Sequence, residues 1–493
     1  VTQLLFAASP AQALDARETL LLLAPERAFK AGWIEKVFPA APWAKLVAKA
    51  ARETQAGPKG TNVSTLTPEG TPGRIVLGVL PDQGSRHNSP TRCEAAAVAA
   101  AAAGLVGKPA AVVACLEDPA HGLALAAAVA RALPLFSRAT GVKEKPGTVA
   151  FAAAGVDGKP LEIEAPERQV VEALRWAAEL VDMPTSELHT DGFEARVRAA
   201  AVGIKNVKIS VIVGDKLLEQ GLGGIHAVGR AAIIPPRLLL LEYKPTKARM
   251  KVALVGKGVV YDTGGLSLKP TLGMSGMKAD MGGAAAAMAS ALALARAGER
   301  VHIVCAAPLA ENAIGPDAYR NDDILTLHSG KTVEINNTDA EGRLLLGDAV
   351  SYVARRYKPA VVIDMATLTG AQLVATGLRH AAVVSNRAGL EALALRVGRS
   401  SGDLTWPLPF APEFFQDEFK SKVADMKNSV GNRSNAQSSC AAQFVYSHIQ
   451  DLDIPWLHID LAGPAFRDER ATGFGVPLTT VLVRALTPEA LGT

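Results

Sequence analysis

The chain has 493 residues, of which 49% are hydrophobic and 20% charged, and its formal net charge is +4. That length exceeds one ordinary core, so two domains are the starting expectation, and the composition is that of a globular protein with ample apolar material. The weak net charge and the lack of a basic cluster interleaved with aromatics exclude nucleic acid as an expected partner.

The four cysteines, Cys93, Cys115, Cys305 and Cys440, are far apart and form no CxxC pair. This argues against a disulfide framework or a zinc-thiolate site and for a reducing compartment, which makes the cytoplasm the expected location. The nine histidines are scattered, without HExxH. His458 and Asp460 alternate in Trp456-Leu457-His458-Ile459-Asp460, which reads first as a core strand. Any metal would therefore depend on carboxylates. The alanine-rich runs at 95–103 and 284–297 are helix formers, too short and too weakly apolar to span a bilayer, so no membrane partner is expected. Residues 4–8 precede Pro10-Ala11-Gln12-Ala13 in the outline of a signal peptide. The apolar run is only five residues and lacks a basic flank, so a first strand fits better.

From residue 1 to 165 the pattern alternates strand and helix. Apolar β-like runs fall at 20–23, 74–80, 110–115 and 148–153, with helices at 93–105 and 121–132 and loops at 56–60 and 67–73. Residues 155–166 mix turn formers and charge and suit a boundary. A connecting helix is expected over 166–182, with Val170, Val171, Leu174 and Ala178 along one face, ending before Pro184. Residues 183–493 form a second, larger α/β unit. Its expected strands are 207–213, 237–243, 251–255, 301–306, 332–335 and 360–364, and its main expected helices are 187–202, 283–297 and 343–356. The fold class is thus α/β in two domains, each a mixed sheet flanked by helices.

Three glycine-rich segments of the second unit carry charges that a core would not tolerate. The first, Val255-Gly256-Lys257-Gly258 through Tyr261-Asp262-Thr263-Gly264-Gly265 to Lys269-Pro270, leaves a strand at the end where open α/β sheets bind ligands. The second, Met277-Lys278-Ala279-Asp280-Met281-Gly282-Gly283, opens the alanine-rich helix, where Asp280 reads equally as a helix N-terminal acid. The third, Asn337-Thr338-Asp339-Ala340-Glu341-Gly342-Arg343, lies at a strand-to-helix turn. Extended backbone would put Asp339 and Glu341 on one side, and standing alone the stretch reads first as a solvated acidic turn. Neither GxGxxG nor GxxxxGK[ST] occurs, and four carboxylates would repel a phosphate. Asp262, Asp280, Asp339 and Glu341 suit divalent cations instead. Lys257 could join them only as a neutral amine, while Lys269 and Arg343 would stay cationic, free to stabilise an oxyanion or hold a small anion.

Together these segments resemble the leucyl aminopeptidase family, the M17 metallopeptidases. The likeness continues through Asp364-Met365-Ala366-Thr367-Leu368-Thr369-Gly370-Ala371 and Ala471-Thr472-Gly473-Phe474-Gly475-Val476 and covers residues 167–485. Ser85-Arg86-His87-Asn88-Ser89-Pro90, Val260-Tyr261 and Ala424-Asp425-Met426-Lys427-Asn428-Ser429 are more like the aminopeptidase-like-1 branch. The resemblance implies that the C-terminal domain is a catalytic di-metal aminopeptidase acting on peptides. It implies two divalent metals, zinc with manganese or magnesium at the exchangeable site, bridged by Asp262 and Glu341. Lys257 and Asp280 would complete the tighter site and Asp339 the other. Lys269 would contact the substrate carbonyl and its oxyanion, and Arg343 would hold a bicarbonate acting as general base on the metal-bridging water. Met277, Thr367, Leu368, Gly370, Ala462 and Ala465 would bind substrate, with Ala465 standing where methionine is common. The resemblance also implies a homohexamer, a dimer of trimers. Two other readings stay open: a dipeptidase for cysteinylglycine-type substrates, and a non-catalytic DNA-binding or scaffold protein.

Overall fold

The computed structural model describes residues 1–15, 17–67, 72–140, 146–432 and 434–492. The chain divides into two compact units, one of residues 1–175 with 398–404, the other of 176–397 and 405 onward. The division falls inside the helix Ala165–Asp182, and the return segment 398–404 joins the first unit. Nothing in a linear reading marks that return, because its anchors are distant in sequence. Ser89 Oγ donates to the Arg399 carbonyl at 2.9 Å, and Arg131 pairs with the fully buried Asp403 at 2.5 Å.

The first unit is built on a sheet in the spatial order Gln3–Phe6, Thr148–Gly155, Pro109–Leu116, Thr19–Pro25, Arg74–Leu80, Thr61–Leu66. All neighbours are parallel except the last pair, and Pro160–Leu161 adds an antiparallel stub on Thr148–Gly155. Leu20 to Ala24 and Ala110 to Ala114 are fully buried, as continuous apolar runs covered on both faces should be. The expected helices are Cys93–Ala103 and Gly122–Arg131. The edge strand Thr61–Leu66 and the helices Glu26–Lys30, Trp33–Val37 and Ala44–Glu53 were not anticipated; most are too short to show a period. Residues 68–71 of the expected loop lie outside the described residues.

The second unit carries a nine-stranded mixed sheet. Its centre is parallel, with Lys251–Gly256 between His302–Asn312 and Val361–Ala366 and then Trp456–Asp460. Arg237–Tyr243 and Val207–Val213 extend one side antiparallel; Ala381–Ser385, antiparallel, and Thr405–Pro407 extend the other. Gly258–Asp262, inside the first glycine-rich segment and outside the expected strands, is a strand paired to the far end of His302–Asn312. The helix Gly282–Arg296 is buried on every face through Ala295, which suits its two-thirds share of alanine and glycine: small side chains let it sit between the sheet and the helix Val476–Ala485. Among the described residues, no helix is long and apolar enough to cross a membrane, and all four cysteines are buried thiols.

Two glycines set how closely that helix approaches the sheet. A Cβ on Gly283 would lie 2.2 Å from the Met365 carbonyl oxygen, and one on Gly256 would lie 2.3 Å from the Gly283 oxygen. Both obstacles are backbone, which cannot rotate away, so the helix start that follows Asp280 can meet the strand ends only with hydrogen at both positions. Gly283→Ala should therefore cost about 3 kcal/mol or more by overpacking, read as a lower urea midpoint. An unchanged midpoint would show that the helix can shift freely.

Candidate active site

The parallel strands of the second unit end at one edge, and each end delivers a polar group there. Lys257 follows Lys251–Gly256, Asp262 closes Gly258–Asp262, Asn312 closes His302–Asn312, Thr367 follows Val361–Ala366, and Asp460 closes Trp456–Asp460. Asp280 sits on the turn before the helix Gly282–Arg296, and Glu341 is the residue before Gly342–Tyr357. This carboxyl edge is where an open α/β sheet leaves room for a ligand.

Oxygens of Asp262, Asp280 and Glu341 all lie within 4.8 Å of one another, and all three residues are buried. Lys257 Nζ stands 2.7 Å from Asp280 Oδ2 and 2.9 Å from Glu341 Oε1, and donates to the Thr367 carbonyl at 3.0 Å. Lys269 Nζ stands 2.8 Å from Asp262 Oδ2 and 2.5 Å from Asp339 Oδ1. Asp339 is thus joined to the group through Lys269 and lies outside the close trio. The extended backbone expected at Asp339 and Glu341 is also corrected: Glu341 has φ −76° and ψ −38°, a helical conformation. The two acids are separated by a turn, so one is buried and the other is about a third exposed.

Electrostatics follow from crowding. Burial disfavours the Lys257 ammonium, but Asp280, Glu341 and Asp262 outweigh burial and raise its pKa. Lys269 is raised for the same reason, by Asp262 and Glu341 against burial. Burial, with Glu341 and Asp262 adding repulsion, raises Asp280 well above the usual carboxylate range. Glu341 is raised by burial and then by Asp262. Shifts on the two sides of the Lys257–Asp280 pair thus have different sources: the ammonium gains partners, whereas the carboxyl loses water and faces two like charges. Glu341 Oε2 is buried with no hydrogen-bond partner. Hard oxygen donors this close, one with an unspent lone pair, fit divalent cations.

Arg343 lies on the first turn of Gly342–Tyr357, 9% exposed, with Nη1 donating to the Asn428 carbonyl at 3.0 Å and a buried Nε without a partner. Burial lowers its pKa to about 10, so it stays cationic at neutral pH. Thr367 Oγ1 donates to Asp280 Oδ1 at 2.8 Å, tying the expected pocket to the carboxylates. Thr367 and Ala465 flank Gly282, their carbons 3.3 and 3.5 Å from where its Cβ would stand. Met277 begins the short turn Met277–Ala279 that leads to Asp280, and Gly370 faces open space. Asp460 accepts from the amides of Leu368 and Ala462 at 3.1 and 3.3 Å.

Several residues that hold the site were missed. Asn312 Nδ2 donates to Asp262 Oδ1 at 2.8 Å and to the Thr338 carbonyl at 3.1 Å, and Gly264 N donates to the same Asp262 oxygen. Tyr319 Oη donates to the Thr338 carbonyl at 2.6 Å, and Thr338 Oγ1 to the Gly264 carbonyl at 2.7 Å. Asn428 Oδ1 accepts from the amides of Asn336 and Asn337, and its Nδ2 donates to the carbonyls of Asn337 and Ala340. A polar residue closing an eleven-residue apolar strand was the available signal for Asn312. In the sequence, Asn428 stands out only within the branch-like segment Ala424 to Ser429.

The chain is similar to known proteins over most of its length. The description "Cytosol aminopeptidase family, catalytic domain" matches residues 175–483, and "M17 aminopeptidase N-terminal domain 2" matches residues 44–142. The chain belongs to the M17 leucyl aminopeptidase family and is a metal-dependent aminopeptidase, a hydrolase. The human protein named Probable aminopeptidase NPEPL1 is 45% identical over 415 residues, 82% of this chain and 79% of its own, in line with the expected branch. A leucyl aminopeptidase from Trypanosoma brucei solved with bestatin superposes with a TM-score of 0.90 at 37% identity, covering 98% of this chain and 96% of that one. The bottromycin maturation enzyme BotP, solved with Mn, gives 0.76 at 31% identity over 95% and 99%.

Because Asn428 moulds the backbone on both sides of Asp339, Asn428→Ala should cost about 3 kcal/mol by stranding buried amides and carbonyls. The expected readout is a melting temperature several degrees lower; a shift below one degree would show that the turn keeps its own shape.

Proposed function

We propose that Lys257, Asp262, Asp280, Asp339 and Glu341 hold two divalent cations in this aminopeptidase, zinc with manganese or magnesium at the exchangeable position. In this reading Asp262 and Glu341 would be shared, Asp280 and Lys257 would hold one ion and Asp339 the other, with Lys257 joining only after its ammonium gives up a proton. The observation that carries it is the buried trio Asp262, Asp280 and Glu341 with the unpartnered Glu341 Oε2. Bound there, the cations supply an activated water and polarise the scissile carbonyl.

The chain's own groups do the rest. Lys269, held by Asp262 and Asp339 and the more open of the two lysines, donates to the carbonyl oxygen as negative charge develops on it. Arg343, with an unpartnered Nε, would hold a small planar anion; bicarbonate fits, since a planar guanidinium matches its planar oxygens, and it would supply a general base. The N-terminal side chain of a peptide lies against Met277, Thr367, Leu368, Gly370, Ala462 and Ala465. Small residues at 462 and 465 leave room there.

A cysteinylglycine-type dipeptidase would use the same residues, and turnover of dipeptides against longer peptides separates the two readings. A non-catalytic DNA-binding or scaffold role has no feature of the site in its favour. A homohexamer of two trimers is proposed from the family and is read by sedimentation; the cytoplasm is the proposed location, supported by four buried thiols.

Glu341→Gln should remove aminoacyl-anilide hydrolysis and lower the bound metal measured by elemental analysis while leaving the chain folded. Undiminished hydrolysis would sink the assignment. Arg343→Met should keep both metals and lose about 10²-fold in kcat, the scale of a general base, with bicarbonate dependence lost as well. A full kcat in that variant would remove Arg343 and its anion from the mechanism.

A further inference from the structure

The pocket beside the carboxylates has two walls that come from separate strand ends. One wall is Thr367 to Gly370 with the helix Gly370–Ala375, and the other is the turn Ala462–Ala465. The Leu461 amide donates to the Ala366 carbonyl at 2.8 Å where the two chains leave the sheet. Two buried side chains then join the walls. Asp460 accepts from Leu368 N and Ala462 N, and its Oδ2 accepts from Thr369 Oγ1 at 2.7 Å. Gln372, fully buried on the first turn of the helix, accepts from Gly463 N through Oε1 at 2.6 Å. Its Nε2 lies 3.0 Å from the Gly377 carbonyl, 2.8 Å from the His380 carbonyl and 2.6 Å from Thr376 Oγ1.

Gly370 is exposed, and a Cβ there would meet nothing within 4 Å, so no neighbour packs against that wall at this point. At Gly463 the opposite holds: a Cβ there would lie 2.7 Å from the Gly377 oxygen and 2.9 Å from Gln372 Oε1. The Gln372 amide therefore meets bare backbone, with no room for a side chain between them. We propose that Gln372 is a positioning residue that determines specificity: it is the strut between the Gly370 and Gly463 walls and so sets which N-terminal side chain fits. This rests on the pocket assigned under the proposed function.

The physical basis is the cost of a missing partner. Without the amide, the buried Gly463 N loses the partner that Gln372 gives it and so does the Gly377 carbonyl, while the His380 carbonyl keeps only Thr376 Oγ1 at 2.9 Å, and the walls gain the freedom to seek others. A pocket distinguishes side chains that differ by a methylene or two by roughly 10- to 200-fold, and this margin requires walls that hold still. A loosened wall weakens binding of the preferred side chain most, because that one makes the most contact.

The test uses the metal-loaded, full-length enzyme with alanyl, leucyl and phenylalanyl p-nitroanilides. Gln372→Met keeps length and volume without hydrogen bonds; Gln372→Asn keeps an amide too short to reach Gly463. In both, the ratio of kcat/KM between the best substrate and the alanyl one should fall by about five-fold or more, carried by KM, with metal content at the parental level. A ratio within about two-fold of the parent in either folded variant, or a loss of kcat shared equally by all substrates, overturns the proposal. Should neither variant fold, hydrogen exchange on the parent decides: the Gly463 amide is expected to be as protected as core-strand amides, and exchange at loop rates overturns the strut. A parent that cleaves none of these anilides would instead overturn the pocket assignment, so the two failures are distinct.

Discussion

Three carboxylates that share a buried space within 4.8 Å of one another are the constraint around which the second unit is arranged. Such a group cannot keep its charge in a low-dielectric interior without cations in contact with it. Two lysines of one glycine-rich segment are therefore brought in from either side of the strand Gly258–Asp262, one tied to Asp280 and Glu341, the other to Asp262 and Asp339. Parallel strand ends deliver some of these groups and helix starts deliver the others. The bare-glycine contact at Gly256 and Gly283 lets the two kinds of element come close enough to meet.

Around the charged groups lies a ring of neutral ones. Asn312 and the Gly264 amide fill one oxygen of Asp262, leaving the other toward Lys269. Tyr319 and Thr338 fix the backbone behind it. Amides and hydroxyls can orient a carboxylate without adding charge, so they fix direction while leaving the balance of charge to the lysines and to whatever cation binds.

Much of this was legible in the sequence, and the reason differs by feature. Strands built on continuous apolar runs show plainly, so 237–243 and 251–255 are legible nearly to the residue. Charged residues in glycine-rich stretches at strand ends stood out because a core does not tolerate them, which exposed Lys257, Asp262, Asp280 and Glu341. Long-range partners left no such trace. Asn312, Asn428, Asp460 and Gln372 are single polar residues in or beside apolar segments, and their importance comes from bonds to chain far away in sequence. The geometry of Asp339 was misjudged because the period-two rule holds only where backbone is extended, and Glu341 is already helical. The segment 398–404 was missed because a chain that leaves a unit and returns shows no change of composition where it does so.

Asn428 has a consequence for the way the site comes into being. Its side chain grips backbone 91 and 92 positions earlier, at Asn337 and Asn336, and its carbonyl receives Arg343 from 85 positions earlier. The seven-residue stretch from Asn337 to Arg343 is therefore a cast whose mould is made later on the chain. A ribosome that has finished all five proposed cation ligands has not yet made the part that gives two of them their shape. The same holds for a fragment that ends between residues 341 and 428, which carries all five by sequence without the side chain that moulds their turn.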